Sequence, residues 1–189
     1  QCKRKILGSN HIYTGTCRDL ALPFKDQAIR LKVNDQVICF DDLLQGQHCS
    51  NLQADLGDFV LKRRDGVINY QLAVVVDDFL QGITHVIRGS DLLDNTERQI
   101  WLGQLLDYPR LQYMHLPLAM NAQGQKLSKQ NLAQALDPAQ APQLLQQAIR
   151  ALHQLPVDLD RPARMLQQAV AQWDVSRIPR TTQLEQIYQ

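Results

Sequence analysis

The feature that most constrains this chain is a β-branched segment, Thr84-His-Val-Ile-Arg88, followed by a helix-compatible stretch and a second apolar segment, Tyr113-Met-His-Leu-Pro-Leu118. Between them, Asn95 or Thr96 is placed to cap a helix through Leu106, with Ile100, Leu102, Leu105 and Leu106 at roughly helical spacing. Strand, helix, strand at this spacing is the mark of a parallel α/β unit. Just before it, Leu72-Ala-Val-Val-Val76 is an almost continuous apolar run closed by Asp77-Asp78. Such a run fits a segment buried on both faces, and periodicity alone leaves helix and strand both open.

The flanks are read the same way. Ala28-Ile-Arg-Leu-Lys-Val33 alternates apolar and polar, which predicts a half-buried strand, and Val37-Ile-Cys-Phe40 is a second strand candidate. The Asn34-Asp35 turn between them predicts a hairpin. Asp58 to Gly66 reads as a strand running into a turn at Asp65-Gly66, whereas residues 1–27 are loop-rich, with Gly8, Gly15 and Pro23 as punctuation. After Lys129 the texture becomes Gln-, Ala- and Leu-rich, and Pro142–Leu155 and Arg161–Gln172 are predicted helices. No apolar run approaches the ~18 residues of a membrane span, so a transmembrane helix is excluded and no membrane partner is expected. A hydrophobic fraction of 44% with 21% charged residues argues against global disorder.

The 189 residues open on Gln1 and Cys2 with no charged-then-apolar leader, as expected of a piece of a longer protein. Without a secretory signal, free thiols or metal ligands are expected at Cys2, Cys17, Cys39 and Cys49 rather than a disulfide framework. The net charge of +1 hides an asymmetry: residues 1–32 hold seven basic and two acidic side chains, and residues 33–60 hold five Asp and no Lys or Arg. A basic amino-terminal stretch is compatible with nucleic acid, because Lys and Arg gain affinity by displacing counterions from phosphates, and equally with an unevenly charged solvated surface.

One loop invites a chemical reading. Lys126-Leu-Ser-Lys-Gln130 follows a glycine-containing turn, Asn121-Ala-Gln-Gly-Gln125, after a predicted strand. Two lysines three apart can bring two ammonium groups onto a polyphosphate and neutralise charge as pyrophosphate leaves. An exposed polar loop is the ordinary alternative.

Context favours the first reading. Asp65-Gly-Val-Ile-Asn-Tyr-Gln-Leu-Ala-Val-Val-Val-Asp-Asp78, Ile83-Thr-His-Val-Ile-Arg-Gly-Ser-Asp91, Asn95-Thr-Glu-Arg-Gln99, Met114-His-Leu-Pro-Leu118 and the lysine loop stand in one order and spacing. In these residues the chain resembles the catalytic core of the class I glutamyl- and glutaminyl-tRNA synthetases, with Lys126–Gln130 at the position of the family's KMSKS-type loop. Within the family the resemblance is to the branch without an anticodon-binding domain. Gln130 stands where the full-length enzymes usually carry Arg, Tyr13 and Cys17 follow Cys2 like that branch's zinc site, and the chain stops about sixty residues after Lys129.

The resemblance implies an α/β fold: the later part of a class I synthetase Rossmann-like domain, with a zinc-binding insertion and a helical carboxyl-terminal tail. The implied partition is 1–57 for the incomplete insertion, 58–136 for the second half of the catalytic domain and 137–189 for the helical region. Tyr70 and Arg88 match the amino-acid-binding tyrosine and arginine, Lys129 the ATP-contacting lysine, and Lys126 a lysine that positions the loop. A guanidinium offers a planar fork of donors suited to a carboxylate, and a phenol adds one directional hydrogen bond. Zinc would be held by Cys2, Tyr13 and Cys17, with the fourth ligand before Gln1 or replaced by His11. Cys39 and Cys49 are expected to be ordinary thiols, and His85 and His115 satisfied core histidines. Asp77 and Asp78 are read as closing the apolar segment.

The implied reaction activates L-glutamate with ATP and transfers it to the queuosine base of tRNA(Asp), in a cytoplasmic monomer. The half of the ATP site that carries the HIGH-type motif is expected upstream of Gln1, and the fragment alone is expected to be inactive. The alternatives are the core of an ordinary glutamyl- or glutaminyl-tRNA synthetase, or a non-catalytic RNA- or zinc-binding module of the same fold.

Overall fold

The computed structural model describes residues 12, 13, 15–20, 22–128 and 135–184. The chain divides into two compact units, Gln1–Val86 with Leu92–Met114, and Ile87–Asp91 with His115–Gln189.

The first unit begins with β1 (Ile29–Leu31), β2 (Val37–Asp42), β3 (Gly46–Asn51) and β4 (Phe59–Lys62). The hairpin expected between residues 28–33 and 37–40 does not form. β1 instead pairs antiparallel with β4, and β2 with β3. β3, Gly-Gln-His-Cys-Ser-Asn, has no run of apolar residues to announce it. The register is set by β2, whose Ile38, Phe40 and Asp42 are buried while Val37, Cys39 and Asp41 are exposed. The turn is closed by Asp42, whose Oδ1 accepts from the backbone N–H groups of Leu44 (3.0 Å) and Gln45 (2.9 Å).

Cys39 and Cys49 face each other across this hairpin and are joined by a disulfide, with Cα atoms 4.1 Å apart. This corrects their reading as ordinary thiols: a directly opposed strand pair brings two side chains within bonding range.

Two helices follow, α1 (Tyr70–Leu80) and α2 (Thr96–Leu105), with β5 (His85–Gly89) and β6 (Gln112–Leu116). The apolar run Leu72–Val76 lies in α1 and is half-buried throughout. Its three consecutive valines do not prevent helix, since β-branching is a weak penalty that packing overrides. The main sheet has strand order β3-β2-β6-β5, with β2 parallel to β6 at Asp42 and Tyr113. Ile38, Phe40, Leu52, Ile100, Leu102 and Tyr113 belong to the core of this unit. Asn95 precedes α2 without capping it; its Oδ1 accepts instead from Gln71 Nε2 at 2.5 Å.

The second unit carries the carboxyl ends of β5 and β6, then β7 (Leu118–Ala119), α3 (Ala141–Ala151), α4 (Pro162–Ala171) and β8 (Gln183–Leu184). Pro142 and Pro162 each stand in the first turn of a helix, where the missing N–H costs nothing. The two helices bury Ile149, Val157, Met165 and Ala169 between them, and β7 pairs in parallel with β8.

A buried carboxylate organises the first unit. Asp58 is 5% exposed; it accepts from Arg18 Nη2 (2.7 Å) and Nε (2.8 Å) and from the Val33 N–H (3.0 Å). Burial pushes its carboxyl up, but the Arg18 and Val33 hydrogen bonds and the nearby guanidinium charges outweigh burial and hold it below the usual carboxylate range. A lowered folded-state pKa contributes stability that is complete above the unfolded value near ~3.9 and is lost as pH falls through the folded value. Asp58→Asn is expected to cost about 2–3 kcal/mol at neutral pH. In urea titrations the parent should lose stability below about pH 4 more steeply than the variant.

Candidate active site

In the first unit, Tyr70 is the first residue of α1 and is 45% exposed. The preceding Asn69 does not cap the helix; its Nδ2 donates to the Val60 carbonyl at 2.7 Å and ties the helix start to β4. The following Gln71 is buried, donates to Asn95 Oδ1 and accepts from Gln99 Nε2 at 2.9 Å. Tyr70 thus projects from a helix end held on both sides by amide bonds, one to a strand and one to α2. Such bonds fix where the phenol emerges, because a buried amide left unpaired would cost about 1–3 kcal/mol.

In the second unit, Arg88 lies on β5 and its Nε donates to Nε2 of His115 at 2.9 Å. His115 is fully buried on β6. An acceptor Nε2 places the imidazole proton on Nδ1, so this is a neutral histidine that fixes the plane of the guanidinium. His115 is therefore a satisfied core histidine, as expected. His85 is exposed and contacts Thr84 Oγ1 at 2.9 Å, which corrects its reading as a core residue: it sits at the strand start, on the face away from the core.

Three further contacts follow Arg88 within four residues. A Cβ on Gly89 would lie 2.6 Å from Asp91 Oδ1 and 3.0 Å from Leu118 Cδ2, so only glycine lets the Asp91 side chain fold back. Ser90 Oγ donates to the Thr182 carbonyl at 2.7 Å. Asp91 Oδ2 holds Lys126 Nζ at 2.6 Å. Lys126 itself leaves a tight turn in which Asn121 Oδ1 accepts from the N–H groups of Gln123 (3.0 Å) and Gln125 (2.8 Å). Lys126 is thus held by a carboxylate with no role in the sequence reading, although Asp91 closes the quoted Ile83–Asp91 segment. Both partners are partly exposed, at 46% and 38%, so the pair is weak enough for a competing anion to replace. Lys129 and Gln130 lie outside the described residues.

Of the expected zinc ligands, only Tyr13 and Cys17 lie among the described residues. Cys17 is disulfide-bonded, its backbone N–H donates to the Tyr13 hydroxyl at 2.7 Å, and Arg30 stacks 4.4 Å from the centre of the Tyr13 ring. A thiolate ligand requires a reduced sulfur, and no group of three or more His, Cys, Asp or Glu among the described residues is arranged for a metal. Cys2 and His11 lie outside those residues. A largely apolar cavity of about 260 Å³ between α1 and α2, bordered by Phe79, Ile83, Ile100 and Tyr108, contains none of the expected site residues.

The arrangement is an α/β fold whose parallel strands lead into polar segments carrying an oriented arginine and a docked lysine. Among solved structures, a glutamate-tRNA synthetase from Elizabethkingia anophelis matches with a TM-score of 0.67 over 93% of this chain and 42% of that one, at 23% identity. The two share a fold. Residues 8–152 match the family described as tRNA synthetases class I (E and Q), catalytic domain, and the chain belongs to that family. It is 72% identical over 188 residues to the glutamyl-Q tRNA(Asp) synthetase of Acinetobacter baylyi, covering 100% of this chain and 64% of the relative. The protein of the same name from Neisseria meningitidis serogroup B is 52% identical over 175 residues, covering 89% and 59%. The chain thus spans about three fifths of the length of these curated relatives.

Two stability effects are expected. His115→Leu should destabilise by about 1–3 kcal/mol in denaturant titrations, because it removes the acceptor of a half-buried arginine. Asp91→Asn should change stability by less than about 1 kcal/mol.

Proposed function

We propose that this chain is part of an enzyme that activates glutamate with ATP and passes it to the queuosine base of tRNA(Asp). The observation that carries the reading is the 72% identity, across the whole chain, to a relative named for that activity. Arg88 supports it chemically: with Nε engaged on His115, the guanidinium is held in a fixed plane, the condition for a two-pronged grip on a glutamate carboxylate. For Tyr70 the same reading assigns one directional hydrogen bond to the amino acid.

In the first step a carboxylate oxygen of glutamate attacks the α-phosphorus of ATP. The bond to pyrophosphate breaks and glutamyl adenylate forms. No protein base is required, because the nucleophile is already ionised; alignment and charge neutralisation do the work. Lys126 and Lys129 would neutralise the departing pyrophosphate, Lys126 exchanging the Asp91 carboxylate for phosphate oxygens. In the second step a nucleophile of the queuosine base attacks the activated carbonyl and AMP leaves.

The test is glutamate-dependent exchange of pyrophosphate into ATP by the full-length protein without tRNA. Exchange is expected, followed by labelling of tRNA(Asp); no exchange, or labelling of tRNA(Glu) instead, would overturn the reading. Arg88→Ala should lower glutamate activation on the order of 100-fold, the loss of charge-assisted hydrogen bonds worth ~3 kcal/mol.

A further inference from the structure

At one end of the β1–β4 pair the fold assembles a basic groove with an exposed aromatic ring. Antiparallel pairing sets Ile29 opposite Lys62, so the segment entering β1 and the segment leaving β4 emerge side by side. Phe24, Lys25 and Gln27 of the first face Lys62, Arg63 and Arg64 of the second across an open groove of about 250 Å³. Neither segment alone would be read as a site. They are separated by more than thirty residues, and it is the strand pairing, not the expected 28–40 hairpin, that joins them.

The charge of the groove is unbalanced. Four cations line it against two carboxylates, Asp26 and Asp65. Asp65 is already engaged, pairing with Arg63 at 2.8 Å and accepting from the Val67 N–H at 3.2 Å. Lys25, Lys62 and Arg64 make no such ion pair among the described residues. Their field therefore acts outward on an anion rather than inward on a partner side chain.

Phe24 adds a second kind of recognition. It is 81% exposed, the most exposed large apolar side chain among the described residues. The ring lies in a groove whose other side chains are all polar or charged. It offers a π-face beside positive charges, the combination that binds unpaired nucleotides: cations follow the phosphates and the ring stacks a base.

We propose that this groove docks unpaired nucleotides of an RNA stem-loop, with Lys25, Lys62 and Arg64 on the phosphates and Phe24 stacked on a base. The proposal rests on the tRNA reading above, in which the glutamate is passed to a base and the protein must grip RNA around it. It assigns that grip to residues outside the amino-acid and lysine-loop positions.

The experiment uses the full-length protein, a fluorescein-labelled RNA hairpin with an unpaired loop, and a blunt duplex of the same stem, titrated at several salt concentrations. Lys62→Ala/Arg64→Ala should weaken hairpin binding roughly 10-fold or more and lower the slope of log K against log salt by about 0.7–0.9 per cation removed. Lys62→Arg/Arg64→Lys should restore both. Phe24→Ala should weaken the hairpin roughly 5-fold or more and leave the duplex unchanged. Hairpin binding within twofold of the parent in both the alanine double variant and Phe24→Ala, with an unchanged salt slope, would overturn the proposal, as would displacement of the hairpin by polyglutamate as efficient as by unlabelled RNA. Glutamate-dependent pyrophosphate exchange without RNA should be the same in every variant. If the parent itself fails to exchange, the catalytic reading falls while the RNA titration still decides the groove.

Discussion

One buried carboxylate gathers most of the first unit. Asp58 sits just before β4 and accepts both prongs of Arg18 and the N–H that follows β1, while its own carbonyl accepts from Arg30 at 3.4 Å. Arg30 in turn covers the Tyr13 ring, whose hydroxyl accepts from the Cys17 backbone. Three segments distant in sequence, around residues 13–18, 30–33 and 58, thus share one hydrogen-bonded centre. A buried charge is tolerable only when its lone pairs are satisfied, so the loop around residues 13–18 is required by Asp58 as much as it depends on it. With β1 held against β4 in this way, the two basic segments also meet.

The functional segment of the second unit follows a different economy. Arg88, Gly89, Ser90 and Asp91 are consecutive, and each meets a different requirement: a histidine for the guanidinium, a missing side chain, a carbonyl for the hydroxyl, and a lysine for the carboxylate. The strand ends here, so its polar groups turn to side chains rather than to a neighbouring strand. The histidine bond is part-buried, against a fully buried ring, whereas the lysine pair is half in water. That contrast is what the proposed function asks for: an arginine held in one geometry and a lysine able to exchange its carboxylate for phosphate.

Family membership places these residues in a catalytic domain of the class I glutamyl and glutaminyl type, and the solved glutamate-tRNA synthetase shares the fold at only 23% identity. The fold therefore tolerates wide substitution, and function must be argued from particular side chains. The proposed function rests on three of them: Arg88, bonded to His115; Lys126, paired with Asp91; and Tyr70, whose neighbours Asn69 and Gln71 are hydrogen-bonded.

Much was legible in the residues themselves. The β-branched Thr84–Arg88 run, the helical spacing after Asn95, and prolines placed to open α3 and α4 are local signals, and local propensity decides them. What the sequence left open or misplaced depended on partners distant in the chain. Leu72–Val76 is equally apolar as helix or strand, and packing made it helix. Gly46–Asn51 is polar throughout and became a strand because β2 offered it an edge. Cys39 and Cys49 met only once that register existed. Asp91 could not be matched to Lys126, nor Phe24 to Arg64, without the turns and pairings that bring them close. The sequence by itself determined the α/β class and the order of the chemical segments, because periodicity and capping act over a few residues. Only the tertiary structure decided which charges meet, because an ion pair or a hydrogen bond is a matter of a few ångströms, and that distance is set by the whole fold.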